Sequence, residues 1–187
     1  MEEKIINNNA IQSIVINSDS IFKVEVKTSV NKTIRLFANM EGEYAKNTML
    51  LTEVKNDTLL ISTKYQYIDV KANDKLSAHK VFSLEIILEI PENLNLYFKS
   101  SIASAKVEGT YKQLTLELNQ GNATINNFRG NAIINTQNGN INLETNNATI
   151  KAKTKTGKIE KALITGSQNQ IKIQSINGNI NVYKTKK

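Results

Sequence analysis

The sequence predicts an all-β chain, in which a repeating array of short strands over residues 109–187 follows a set of capping strands over 1–108. Two observations carry the array. Gly121, Gly130, Gly139, Gly157 and Gly166 are spaced by nine residues or a multiple of nine, with Ala148 in the one slot that lacks glycine, and a fixed period marks a repeating unit. Two and four residues after these positions stand Ala123 and Ile125, Ala132 and Ile134, Ile141 and Leu143, Ile150 and Ala152, Ile159 and Lys161; all but the last are apolar. Asn, Thr, Lys and Glu fill most of the places between and beside them, so the period within each unit is two. That is the mark of a strand with one buried face. A third observation extends the prediction to the whole chain: no run of apolar residues at helical spacing with caps occurs, although residues 40–50 could hold one short turn.

Each unit begins with a corner. The motif NGNIN, at Asn138–Asn142 and again at Asn177–Asn181, condenses one unit: Asn-Gly for the corner, Ile for the core. Gly121, Gly130, Gly139, Gly157, Gly166 and Gly178 are the expected structural turns, because glycine reaches positive φ without a Cβ penalty and Asn is the next most tolerant residue. Asn146 and Asn147 precede Ala148 and can take over the left-handed position there. Three inserted residues after Gly166 delay the next glycine to Gly178, where Ile180 and Val182 restore the pattern. Two architectures use such units. An antiparallel sandwich or meander would close Asn-Gly hairpins, whereas a parallel β-helix or solenoid stacks equivalent positions. The recurrence of Asn122, Asn131 and Asn140 at one phase and of Asn126 and Asn135 at another favours the solenoid, with two units making a coil of roughly 18 residues.

The N-terminal strands are longer and lack a fixed period. Phe22, Val24 and Val26 alternate with polar residues, as do Ile34 with Leu36 and, after the turn Lys55-Asn56-Asp57, Leu59 with Ile61. Phe82, Leu84, Ile86, Leu88 and Ile90 form the longest alternation; Pro91-Glu92-Asn93 stops it and Leu94, Leu96 and Phe98 follow. These strands are expected to cap one end of the array within a single domain spanning 1–187, since an uncovered end invites edge pairing.

Composition excludes several function classes. There is no Cys and only one His, so neither a disulfide framework nor the usual zinc ligands are present, and nothing calls for a metal or cofactor. The opening MEEKIINNN has two acids and no apolar run, which does not read as a signal peptide, and no stretch reaches the ~18 apolar residues of a membrane-spanning helix. Charge is unevenly divided. Residues 1–108 hold 13 Lys plus Arg against 14 Asp plus Glu, whereas 109–187 hold 11 against 3, so the basicity lies in the array.

Candidate chemistry is sparse. His79 has Asp74 and Ser77 near it in sequence, but there is no nucleophile elbow, and proximity along the chain does not orient a triad. A glycan-cleaving β-helix needs paired carboxylates, and the array has only Glu117, Glu144 and Glu160, each on a different unit. No catalytic residue is predicted. In TIKAKTKTGKIEK, Lys151, Lys153 and Lys155 share one face of a strand, with Lys158 and Lys161 just beyond. Outward lysines keep a strand edge soluble and unpaired. They also form a candidate surface for an anionic polysaccharide or envelope component; one Arg and few aromatics in the array argue against nucleic acid.

The stretch EIPENLNL, then SAKVEGTYKQLTLEL, then the G-N-x-I units closing on INGNINVYKTKK resembles the bacterial putative-adhesin β-strand-repeat family, the head-GIN and toastrack-like proteins, from about Val81 to the end. The resemblance implies a right-handed β-helix-like fold, an exported or membrane-tethered location in the periplasm or at the cell surface, and no assigned enzymatic activity. The expected function is therefore a non-enzymatic cell-envelope binding or structural module. The alternatives are a carbohydrate-active enzyme on a β-helix and a sensor domain of a membrane-associated system.

Overall fold

Alternation of apolar and polar residues becomes strand after strand in the computed structural model, which describes residues 2–7, 9–42, 45, 47–65 and 82–185. In chain order the strands are β1 (Glu2–Ile6), β2 (Ser13–Asn17), β3 (Lys23–Ser29), β4 (Ile34–Gly42), β5 (Thr48–Lys55), β6 (Thr58–Tyr65), β7 (Phe82–Pro91), β8 (Asn95–Ser100), β9 (Ser104–Leu118), β10 (Ala123–Thr136), β11 (Ile141–Thr145), β12 (Ala148–Thr154), β13 (Ile159–Lys161), β14 (Asn169–Ser175) and β15 (Ile180–Lys184). Among the described residues there is no α-helix. The short turn expected within 40–50 falls partly outside them.

Pairing sorts the strands into two walls joined through the long, bent β9 and β10. The first wall runs β1-β4-β7-β3, then the leading halves of β9 and β10, then β11-β15-β13. The second runs β5-β6-β2-β8, then the trailing halves of β9 and β10, then β14-β12. From β3 and β2 onward every pair is parallel, and all run in register except where β10 shifts against β9 and β11 at its bend. Ala105, Ala123 and Ile141 are neighbours on the first wall, as are Leu114 and Ala132 on the second, so one circuit takes eighteen residues, two nine-residue units. Among the described residues antiparallel pairs occur only at the N-terminal end: β1 with β4, β4 with β7, and β5 with β6.

The core lies between the walls. Ile14, Ile16, Val24, Val26, Leu59, Ile61, Leu84, Ile86, Leu96 and Phe98 join the array residues Ala123, Ile125, Ile134, Ile141, Leu143, Ile171 and Ile180 in one buried cluster. Fully burying such a side chain is worth about 1.5–3 kcal/mol. Phe22, expected inside, is 57% exposed, and Ile21 is buried in its stead. Ile159 also departs from its expected place: it is 43% exposed because β13 is the last strand of the first wall, with no further rung to cover it.

The largest departure from a simple array is the order of the last rungs. Continued eighteen-residue spacing would set Ile150 against Ala132 and Ile159 against Ile141. Instead Ile171 lies between Ala132 and Ile150, and Ile180 between Ile141 and Ile159. The chain passes on, leaves a rung vacant, and steps back to fill it with β14 and β15. The two NGNIN copies thereby lie directly against each other. Asn177 Nδ2 donates to Asn138 Oδ1 (2.7 Å), the Asn179 amide donates to Asn140 Oδ1 (2.8 Å), and Asn181 Nδ2 donates to Asn142 Oδ1 (2.9 Å). One carboxamide ladder runs through four rungs, since the Asn140 amide donates to Asn122 Oδ1 and the Lys158 amide to Asn179 Oδ1. Asn131, nine residues from Asn122 and Asn140, belongs to the other wall, where its Oδ1 accepts from the Gln170 amide.

The turn glycines divide into two kinds. Gly121, Gly130 and Gly166 have positive φ as expected, and Asn147 (φ 48°) takes the left-handed place before Ala148. Gly139, Gly157 and Gly178 do not have positive φ, which corrects the expectation for those three. What requires glycine there is the close approach of the neighbouring rung: a Cβ on Gly139 would run into the Gly121 carbonyl, one on Gly178 into that of Gly139, and one on Gly157 into that of Gly178. Hydroxyls bind this corner as well, Thr136 Oγ1 donating to the Gly139 carbonyl (2.8 Å) and Thr154 Oγ1 to that of Gly178 (2.9 Å).

Candidate functional site

His79, Asp74 and Ser77 lie outside the described residues. The three acids of the array are divided: Glu117 is on the second wall, where Tyr97 Oη donates to its Oε2 (2.9 Å), while Glu144 and Glu160 are on the first, on the strands either side of β15 and at different register positions. Burial, and then the bond to the Glu117 carboxylate, push the Tyr97 phenol above its ordinary range, so it remains a donor.

The lysines are brought together on the outer face of the second wall, at its C-terminal end. Alternation along β12 turns Ile150 inward and Lys151 and Lys153 outward, and Lys155 follows on the same side. The inserted strand β14 adds what the sequence could not show: Lys172 pairs in register with Lys151, one rung away. Two ammonium groups are thus fixed on adjacent strands, about 4.8 Å apart at the backbone, and like charges directly opposite each other destabilise a sheet. Neither is neutralised by an ion pair among the described residues. Around them Gln113, Asn131 and Gln170 form a row of carboxamides, and Ile133, 41% exposed, offers an apolar patch in register with Lys172. A second depression beside it is lined by Lys153, Lys155, Asn135, Gln174 and Ile176.

Lys161 does not join this face. It is exposed on β13, in the first wall, and its Nζ reaches across the end of the stack to donate to the Ile150 carbonyl (2.9 Å). Lys158 is exposed at the glycine corner, its backbone held by Asn179. The residue that sequence reasoning missed is Lys172. Its twenty-one-residue separation from Lys151 follows no multiple of nine, so only the three-residue insertion after Gly166 hinted at it.

Part of the first wall is compensated. On the first wall Lys23 Nζ and Lys106 Nζ flank Glu25 at 2.7 and 3.4 Å, and Lys27 stands 4.0 Å from Glu108. The hydrogen bond from Lys23 holds the Glu25 carboxyl below the usual carboxylate range despite some opposing burial. The lysine face has no such compensation.

No family model and no curated protein matches the chain. Among solved structures, a putative cell adhesion protein from Clostridium sporogenes superposes with a TM-score of 0.60 and 17% identity over 98% of each chain. The two chains share a fold. Putative adhesins from Bacteroides fragilis and Parabacteroides distasonis align over 97% and 96% of this chain and 96% of each of theirs, at TM-scores of 0.40 and 0.37 and identities of 11% and 12%. No helix among the described residues is long and apolar enough to cross a membrane.

Proposed function

We propose that this chain is a non-enzymatic, adhesin-like module of the cell envelope, acting outside the cytoplasm, and that its lysine face contacts an anionic polysaccharide. The observation that carries the reading is the in-register pair Lys151 and Lys172, two uncompensated cations held side by side. A polyanion laid on them removes the repulsion that the fold imposes. The surrounding carboxamides can donate to and accept from sugar hydroxyls, and Ile133 can pack on the apolar face of a ring. The shared fold with a protein named for cell adhesion agrees with this reading. So does the placement of the array's three acids, Glu117 alone on one wall and Glu144 and Glu160 on the other but on strands separated by β15 and out of register, where glycosidic cleavage would want two facing carboxyls.

The test is retention on a heparin-type column. The wild-type chain should be held at low salt and released as ionic strength rises, since exposed charges are screened over about 8–10 Å near physiological salt. Changing Lys151, Lys153, Lys155 and Lys172 to Glu takes the formal net charge from +7 to −1 and should abolish retention with the melting temperature little changed. Flow-through of the wild-type protein, or equal retention of the variant, would leave these lysines as guards of the strand edge and nothing more.

A further inference from the structure

A second polar site lies at the other corner, where the chain crosses from the first wall to the second. β10 makes this crossing through a bulge: its register against β9 shifts between Asn126 and Arg129 and again between Arg129 and Asn131. Left-handed backbone flanks Arg129 on both sides, at Asn127 (φ 46°) and Gly130 (φ 130°). Bulges re-aim a side chain and are over-represented next to functional sites. Here the bulge carries one of only two arginines in the chain.

Arg129 lines a cleft of about 420 Å³ together with Asn93, Asn146, Asn147, Gln168 and Asn169. That volume lies within the ~300–1,000 Å³ range of small-ligand sites. No carboxylate lines the cleft, and the guanidinium has no ion pair or hydrogen-bond partner among the described residues. The floor is rigid. Phe128 is fully buried next to Arg129 and stacks on Tyr111 at 5.9 Å, and Tyr111 Oη shares its proton between the carbonyls of Val26 and Glu108, each 3.2 Å away. One wall is set as well, since Asn147 Nδ2 donates to Gln168 Oε1 (2.7 Å), which leaves Gln168 Nε2 as a donor for a ligand.

A guanidinium fork matches a carboxylate in two parallel hydrogen bonds, and carboxamides match hydroxyl groups because each both donates and accepts. A carboxylate on a polyhydroxylated ring needs both. A nucleotide does not fit: the one aromatic at the cleft, Tyr111, is buried, and no second cation lines the cleft to meet a phosphate dianion. We propose that this cleft binds a uronic acid unit, Arg129 taking the carboxylate and the Asn and Gln side chains the ring hydroxyls. The site stands apart from the lysine face and does not rest on it.

The test is a titration of the full-length, nitrogen-15-labelled chain by NMR, with galacturonic acid, oligogalacturonate, glucose and acetate as probes. Both galacturonate probes should shift the amides at 93, 129, 146–147 and 168–169, with glucose and acetate at least about tenfold weaker, a difference of about 1.4 kcal/mol. Binding of the oligomer alone, if it is lost in R129Q, assigns the site to a residue within a polymer. Arg129→Gln should cost at least about tenfold in affinity and Asn146→Ala a few-fold, whereas Lys151, Lys153, Lys155 and Lys172 all changed to Glu should leave monomer binding unchanged. Arg129 is exposed, so an unaltered melting temperature checks that the variant folds. Silence of both galacturonate probes, equal binding by R129Q, or a loss seen only in the lysine variant would overturn the proposal.

Discussion

The two ends of the parallel stack are finished by opposite means. At the N-terminal end the outermost strands, β1 on the first wall and β5 on the second, run antiparallel to their neighbours, so the stack closes with a change of direction. At the C-terminal end the direction never changes: the last strands are β12 and β13, both still parallel, and their protection is chemical. Lys151, Lys153 and Lys155 stand exposed along one edge, and Lys161 reaches across the end to the Ile150 carbonyl. The difference teaches what a repeat needs. A reversed strand still has an open edge, but one that no longer offers the repeat's own parallel register, whereas a repeat that stops within its pattern offers that register to the next chain and relies on charge to deny it.

This comparison can be broken most severely in the middle of the array. Leu143 is fully buried between the two ends, and Leu143→Asp puts an unpaired carboxylate there. Loss of more than about 4 kcal/mol, seen as loss of cooperative thermal unfolding, is expected. A normal melt would mean that the inward face is misassigned.

Next in size are the glycines of the close-packed corner. Gly139→Val drives a side chain into the Gly121 carbonyl on an interior rung and should cost about 3 kcal/mol. The same change at Gly157, which abuts the Gly178 carbonyl from the terminal rung, should cost distinctly less, because an end rung can move away. Equal losses in melting temperature would show that the C-terminal end is as tightly held as the middle.

A smaller effect on stability, but a visible one on solubility, should follow from replacing Lys151, Lys153 and Lys155 with Val. The fold should persist while light scattering reports association through the bared edge. A monodisperse variant would remove the guarding role from these lysines and leave them to ligand binding alone.

The smallest effect concerns pH and the first wall. The Glu25 carboxyl is held below its ordinary range by Lys23, so its contribution is present above the unfolded carboxylate range and is lost as pH falls through the lowered folded value. Glu25→Gln should therefore lower stability slightly at neutral pH and flatten its decline below about pH 4.5. Parallel acid-unfolding curves for wild type and variant would show that the ion pairs of this wall contribute nothing measurable.

The nine-residue period and the alternation within it determined a good deal by themselves. They placed Ile125, Ile134, Leu143 and Val182 inward, Lys151 and Lys153 outward, Asn147 in the left-handed corner and Asn-Gly at the turns, because side-chain direction in a strand and backbone freedom at a corner are local properties. Only the tertiary structure decided which rung lies beside which. Every unit offers the same backbone edge and the same carboxamide, so Asn140 can receive the Asn179 amide, thirty-nine residues on, as readily as Lys158 eighteen residues on. Nothing local distinguishes those pairings. The choice is made by how the chain between β13 and β14 steps back and by what the whole stack then buries. With it come the features that no stretch of sequence contains: Lys172 beside Lys151, Lys161 folded over the end, and Arg129 facing amides from two later turns.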